Sequence, residues 1–432
     1  MSVAGNADQP AHIKRSSLAS NITALYALQA ANYLIPLLTL PYLIRVLGAH
    51  HYGIMAMAYA TVFFLVLFID AGYNTRAVRL LSREDLTHRD ISTLFATNVW
   101  LKVIQTLIAF GLLVAAVAYV PAVREHANVY LVTFGIVLGS LLFPTWLFQG
   151  LQIMHYTTVC SVGGRVLATA GIFLLVKSPS DLVIAAALQS SATLLSGLLS
   201  LPIVFKKLGL SLWLPLSTLG KSLRSTVRNG FSLCFSEYLV NATNNAGVFI
   251  LGLFANETAV GIFAAVSKIA QAVANAFQPL LRAVFPIIAN LSATDPASAT
   301  AKSKTWTLRI ISSAAVMATG LIVLSSFVLV LLFGPEWHSH GRALQGLAIW
   351  VFLFVCASAV GQFSLLARGH QSVYAYCLLA GGLIQVALCV YGAFQWGVIG
   401  VVAALIASEF CRLVAFLYAK HRVVNGIQHE NT

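Results

Sequence analysis

Apolar residues run along this chain in long blocks separated by short polar segments. Twelve blocks are long enough to cross a hydrocarbon core of about 30 Å. Their approximate limits are 22–44, 53–74, 94–119, 128–149, 157–176, 182–204, 231–254, 259–288, 308–333, 344–366, 373–395 and 398–419. The pattern predicts an all-α integral membrane protein of twelve transmembrane helices. In the block 259–288 the apolar pattern is interrupted regularly: Lys268, Gln271, Asn275, Gln278 and Arg282 recur at steps of three and four, which puts all five on one helix face. A lone Lys or Arg at mid-membrane costs about 2.5–3.5 kcal/mol, so this face must meet protein or water. It is either a polar seam satisfied by neighbouring helices or the wall of an aqueous cavity.

The same rhythm recurs in other spans. Gln29, Asn32, Pro36 and Thr39 form a stripe in the first, Asn98, Lys102 and Gln105 in the third, and Glu237, Asn241 and Asn244 in the seventh, while Asp70, Asn74 and Arg76 lie towards the end of the second. Packing through Asn and Gln hydrogen bonds accounts for any single stripe. Stripes on the helices that open each half point instead to two bundles facing a wet cleft. A weak internal repeat agrees with this. Aligning residues 47–60 with 253–268 pairs Gly53 with Gly261, and Gln149-Gly150 after the fourth span matches Arg368-Gly369 after the tenth. The expected arrangement is two parallel, pseudo-two-fold-related six-helix lobes around a central cavity. The domains are then a terminal segment 1–21, a first lobe 22–205, a linker 206–230, a second lobe 231–420 and a tail 421–432.

Composition and charge set the membrane and the orientation. The 432 residues are 59% hydrophobic and 9% charged, with mean hydropathy +0.85, far from a soluble composition. The first twenty residues hold Lys14 and Arg15 but no apolar signal-peptide core, so the first span is expected to remain in the mature chain. The six cysteines lie in or beside apolar runs without CxxC spacing and read as packing residues. With both termini in the cytoplasm, the inner segments collect Lys14, Arg15, Arg76, Arg79, Arg83, Arg89, Lys206, Lys207, Lys221, Arg224, Arg228, Lys302, Lys304, Arg309, Arg368, Lys420 and Arg422. The outer loops hold Arg45, Arg124, Lys177 and Arg342. This asymmetry accounts for much of the net charge of +13, which therefore does not imply nucleic-acid binding. The linker carries five of these bases and an apolar patch at Leu210, Trp213 and Leu214, as a segment lying on an anionic leaflet would.

Depth selects candidate contacts. Lys102 and Arg165 lie about 12 Å in from the cytoplasmic ends of their spans, Lys268 lies nearer the middle, and Arg282 lies near the inner end of the eighth. Cations weighted to the cytosolic half suit an anionic phosphate or pyrophosphate ligand. The substrate cavity is expected to use Lys102, Arg165, Lys268, Gln271, Asn275, Arg282, Asn32 and Asn241, with Asp70 and Glu237 as candidate ion-coupling carboxylates. Each cation also has a bland reading, snorkelling to lipid phosphates or pairing within the bundle. Asp70 has one as a helix cap near Arg76. Glu409 and Arg412, three apart in the twelfth span, are expected to pair with each other and are left out of the site.

Enzymatic motifs fail. A Walker loop at Gly220-Lys221-Ser222 would need glycine where Pro215 stands, and His338 and His340 beside Glu336 want a third metal ligand. No HExxH or soluble catalytic domain occurs, and no cofactor or catalytic residue is expected.

PYLIRVLGAHHYG at 41–53, FPTWLFQGLQIM at 143–154 and VGIFAAVSKI at 260–269, followed by the turn at 279–286, resemble the polysaccharide transporter family. Those are the Wzx-type O-antigen flippases of the multidrug, oligosaccharidyl-lipid and polysaccharide exporter superfamily. Phe263 stands where Tyr is expected as often. The resemblance implies alternating-access translocation of an undecaprenyl-pyrophosphate-linked oligosaccharide from the cytoplasmic to the periplasmic leaflet of a bacterial inner membrane. Its partners are that substrate, membrane lipids and other polysaccharide-assembly proteins. A drug or cation exporter of the same superfamily and a lipid II flippase remain alternatives. A membrane glycosyltransferase or polymerase is disfavoured by the short outer loops.

Overall fold

The computed structural model describes residues 18–70, 73–83 and 86–430; within these, the side chains of 18–27, 33, 216, 229, 231–237, 240, 244 and 423–430 lie outside the description. Every extended element among the described residues is helical. Among these residues nine stretches are long and apolar enough to cross a membrane. Several expected spans are not single straight helices. The first two run together as α1 (Leu18–Asp70), which leaves helical geometry at Gly48 with φ 76°. After α2 (Tyr73–Leu81) and α3 (His88–Tyr119) comes α4 (Pro121–Glu125). The expected span 128–149 is three pieces, α5 (Ala127–Thr133), α6 (Gly135–Leu142) and α7 (Thr145–Gly150). Pro144, which has no N–H to give a preceding turn, stands at the second break. Next are α8 (Met154–Leu175), α9 (Leu182–Pro202), a π-turn at Ile203–Lys207 and the long α10 (Leu216–Phe254).

The remaining helices also differ from the expected limits. The block 259–288 is a correction: it is two helices, α11 (Glu257–Asn275) and α12 (Gln278–Thr294), with Pro279 in the first turn of α12. Proline disfavours helical geometry at the residue before it, so a helix is restarted more readily than continued there. Then come α13 (Pro296–Val323), α14 (Ser325–Phe333), α15 (Gly341–Ser364) and α16 (Gln371–Glu430), the last breaking helical geometry at Gly397 with φ 56°. α13 starts well before the expected 308, so Lys302, Lys304 and Arg309 ride on a helix instead of a loop.

Packing divides the chain into two units. The first takes residues through Leu47 and then Ala58–Ala242; the second takes Gly48–Met57 and the chain from Thr243 onward. In the first, Trp146, Leu147 and Phe148 are buried, and Phe95 stacks on Trp146 at 6.2 Å between ring centroids. The stretch 143–154 thus supplies much of the aromatic core of this unit. The stretch after the π-turn is tied to α3, where Trp100 Nε1 donates to the Leu212 carbonyl at 3.1 Å and His88 Nε2 meets the Leu208 carbonyl at 2.9 Å. Arg76 reaches α10, donating to the Thr226 carbonyl at 3.0 Å. This linker is docked on its unit, not a free tether.

The second unit is built on α15, whose buried face includes Leu344, Leu347, Val351 and Val355 and which packs against α11, α13 and α16. Gly53 and Gly261, the residues paired by the internal repeat, meet each other here. A Cβ on Gly53 would lie 1.7 Å from the Glu257 carbonyl oxygen, and one on Gly261 would lie 1.9 Å from that of Ala49. Both obstacles are backbone and cannot rotate away. Gly53→Val or Gly261→Val is therefore expected to cost about 2–3 kcal/mol by overpacking and to lower the thermal unfolding midpoint in detergent. Gly320→Ala, with open space around its Cβ, is the control and should leave the midpoint unchanged or raised.

Candidate functional site

The end of α1 and the middle of α3 bring two opposite charges together in the first unit. Lys102 Nζ donates to Asp70 Oδ1 at 2.6 Å, and its side chain is 6% exposed against 31% for Asp70. The carboxylate takes two further donors: the Ser140 hydroxyl on Oδ2 at 2.6 Å and the Asn74 amide on Oδ1 at 3.0 Å. Lys102 also reaches the Ser140 carbonyl at 3.4 Å. Burying an ammonium is tolerable only when a counter-charge and hydrogen bonds replace its water, and Asp70 with Ser140 supplies both. Asp70 is the more exposed member of the pair. Gln105 donates to the Phe68 carbonyl at 3.0 Å, leaving its Oε1 buried without a partner, as are Asn74 Oδ1 and Thr106 Oγ1. Spare buried acceptors beside an ion pair are the chemistry that recruits water or a protonated group.

The structure thus pairs Lys102 and Asp70, which the sequence named for separate roles. The two form one unit, and the charge of Lys102 is already compensated. Arg165 is half-buried on α8 and lies within electrostatic reach of Tyr59. Asn32 is half-buried with its carbonyl oxygen unpartnered, and Asn241 is exposed. The side chain of Glu237 lies outside the described residues. In the second unit Lys268 and Arg282 are exposed while Gln271 and Asn275 are half-buried. Val260, Ala264, Ala265 and Ala274 bury the other side of α11, so the polar stripe is the outer face of that helix in its unit. The break at Ala276 and Phe277 divides it, with Lys268, Gln271 and Asn275 on α11 and Gln278 and Arg282 on α12.

A family model described as "Polysaccharide biosynthesis protein" matches residues 18–292, well over half of the chain. The chain belongs to this polysaccharide biosynthesis protein family. It is similar to a protein of Escherichia coli (strain K12) named "Putative O-antigen transporter", 27% identical over 91% of this chain and 94% of that one. A protein of Shigella dysenteriae with the same name is 24% identical over 92% of this chain and 99% of its own length. Among solved structures the fold resembles the lipid II flippase MurJ in an inward closed conformation, with TM-score 0.71 and 13% identity over 92% of this chain and 87% of that chain. It also resembles an inward-facing multidrug resistance MATE family transporter of the MOP superfamily, with TM-score 0.68 and 12% identity over 94% and 98% of the two chains. At these identities the likeness establishes the transporter fold.

This member of the polysaccharide biosynthesis protein family is thus a multi-pass membrane protein of transporter type. Its second unit carries one more buried charge cluster. Arg412 Nη1 donates to Glu409 Oε1 at 2.7 Å, the i, i+3 pair expected from the sequence. Arg412 Nη2 reaches Gln385 Oε1 at 3.4 Å, and Gln385 Nε2 donates to the Thr243 carbonyl at 3.0 Å. The cluster links α10 to both halves of α16. Sequence reading missed Gln385 and Ser140. Gln385 was findable as a solitary amide inside an apolar span; Ser140 carries no such signal, since serine is common in membrane helices.

Proposed function

We propose that this protein is a flippase for a lipid-linked oligosaccharide, and that it carries an undecaprenyl-pyrophosphate-linked repeat unit from the cytoplasmic to the periplasmic leaflet of a bacterial inner membrane. The observation that carries this reading is the end-to-end similarity to proteins named for O-antigen transport, on a fold shared with a lipid II flippase. The proposed topology has twelve spans with both termini cytoplasmic, in two six-helix lobes at 22–205 and 231–420 joined by the linker 206–230. The apolar blocks and the distribution of Lys and Arg support it.

In the proposed cycle the pyrophosphate meets Arg165, Lys268 and Arg282, with Gln271, Asn275, Asn32 and Asn241 lining the sugar path, while the polyprenyl tail stays in lipid. Moving one negative charge outward across an inside-negative membrane releases about 2.3 kcal/mol per 100 mV, so the potential assists the loaded step. Asp70 serves as the coupling group, and a proton fits it better than sodium. Lys102 already stands as the cation on its Oδ1, and sodium would have to displace that ammonium. Glu237 is a second candidate for coupling.

The test is display of O-antigen by a strain deprived of its own O-antigen transporter. Expression of this chain is expected to restore surface polysaccharide of a matching repeat unit, and Asp70→Asn to restore far less of it while the protein remains inserted. Restored resistance to cationic drugs without polysaccharide would replace this reading with that of a multidrug exporter.

A further inference from the structure

Three cations at one end of the second unit take no part in the account so far. Arg368 closes the 3-10 turn Leu366–Arg368 after α15, and Gly369, left-handed at φ 86°, redirects the chain towards α16. The turn packs against α12 and α15. Arg368 Nη2 donates to the Thr300 hydroxyl oxygen on α13 at 3.1 Å, which holds the guanidinium across the start of that helix. Its Nε is buried and has no acceptor. Lys304 stands one helical turn beyond Thr300, and Lys420 lies on the far part of α16, close enough to feel the charges of both Arg368 and Lys304. Among the described residues no carboxylate forms an ion pair with any of the three. Asp295, the acid that opens α13, is committed to the Ser298 backbone N–H at 3.1 Å.

A row of solvated surface lysines would explain Lys304, which is exposed, but not Arg368. A buried guanidinium N–H without an acceptor is destabilising, and like charges nearby add repulsion. An anion removes both penalties at once. Arginine offers Nε and an Nη as a planar fork matched to two oxygens of one phosphoryl group, while lysines add point charge. Thr300, which accepts from Nη2, donates its own O–H to the Pro296 carbonyl at 2.8 Å and so fixes the position of the guanidinium without itself contacting the anion. The surroundings fit the membrane surface. Arg309 lies over the Trp306 ring at 5.2 Å and Arg422 over the Tyr418 ring at 5.1 Å, and Tyr418 is largely exposed. Trp306 is two residues from Lys304 and Tyr418 two from Lys420, and amphipathic rings with cations beside them are the usual furniture of headgroup depth.

We propose that Arg368, held in place by Thr300, forms with Lys304 and Lys420 a binding site for a phosphoryl anion at the membrane surface, outside the substrate path, whose expected occupant is the phosphodiester of an anionic phospholipid. Basic pockets between helices at the cytoplasmic face bind such headgroups in membrane proteins generally. A free phosphate shares the chemistry, so the test must separate the sources. The site does not depend on which substrate the protein moves.

The experiment is native mass spectrometry of the purified full-length protein with phosphatidylglycerol, cardiolipin or phosphatidylethanolamine, for the wild type, Arg368→Gln and Lys420→Gln. The wild type is expected to retain anionic lipid in preference to phosphatidylethanolamine. Each variant should weaken that retention roughly tenfold, the effect of losing one charge-assisted contact. Lys420→Gln, a change at a half-exposed side chain, should do so at an unchanged thermal midpoint, which separates loss of the site from loss of fold. Titration with inorganic phosphate and pyrophosphate is the second arm. If either raises the thermal midpoint of the wild type but not of the variants while lipid retention is indifferent to charge, the phosphoryl site stands with a soluble occupant. Equal lipid retention by all three proteins with no response to either free anion overturns the site.

Discussion

Asp70→Asn is expected to destabilise the protein by about 3 kcal/mol, because it leaves the Lys102 ammonium buried with no counter-charge. The reciprocal change, Lys102→Met, should cost less. Asp70 is 31% exposed and keeps its bonds from Ser140 and Asn74, so water and those donors replace much of what the ammonium gave. The double substitution removes both charges and should be nearer the wild type than the sum of the singles, as a directly paired couple requires. The readout is thermal unfolding in detergent. Additive losses from the two singles would dissociate the pair and return Lys102 to the list of independent substrate contacts. If Asp70 is also the protonating group, transport by Asp70→Asn should lose its dependence on a pH gradient, which a structural role alone would not alter.

Arg412→Met is the second large effect, expected at about 3–5 kcal/mol. It strands Glu409, which is 2% exposed and whose second oxygen already lacks a partner. Glu409→Gln strands the guanidinium in turn, although Gln385 still accepts one of its N–H groups, so its cost should fall at the lower end. Replacing both by leucine removes the charges and fills the space, and should restore most of the loss. Gly381 and Gly382 make room for this cluster. A Cβ on Gly381 would stand 2.8 Å from Arg412 Nε, and one on Gly382 2.5 Å from Thr243 Oγ1. A cluster that only welds α10 and α16 together leaves transport intact in the double-leucine variant. Loss of transport in that stable variant would show that it moves during the cycle.

The apolar blocks were legible because a membrane helix needs about twenty apolar residues and has no shorter way to hide its backbone. What hydropathy does not register is a break within a block. The interruptions at Phe134, Leu324 and Ala276-Phe277 leave the block as apolar as before, and only Pro144 and Pro279 marked theirs by chemistry. Faces were legible and neighbours were not. The period of a helix put Lys268, Gln271 and Asn275 on one side, yet it could not say what that side meets, nor that Lys102 would find Asp70 thirty-two residues earlier. Glu409 and Arg412 were read correctly because three residues on one helix make a pair without any tertiary fold. Gly53 and Gly261, the pair that the weak internal repeat aligns, are in close contact. Each lacks a side chain because the backbone next to the other occupies that space.

The central claim is movement of a lipid-linked oligosaccharide, and the most direct measurement follows that movement in proteoliposomes of known protein orientation, for the wild type and Lys268→Ala. The account predicts that wild-type protein delivers the undecaprenyl-pyrophosphate-linked substrate to the far leaflet and that Lys268→Ala, folded and inserted, delivers far less. Normal delivery by Lys268→Ala would reduce the stripe on α11 and α12 to packing. Wild-type protein that moves no such lipid but exports small cations would contradict the account.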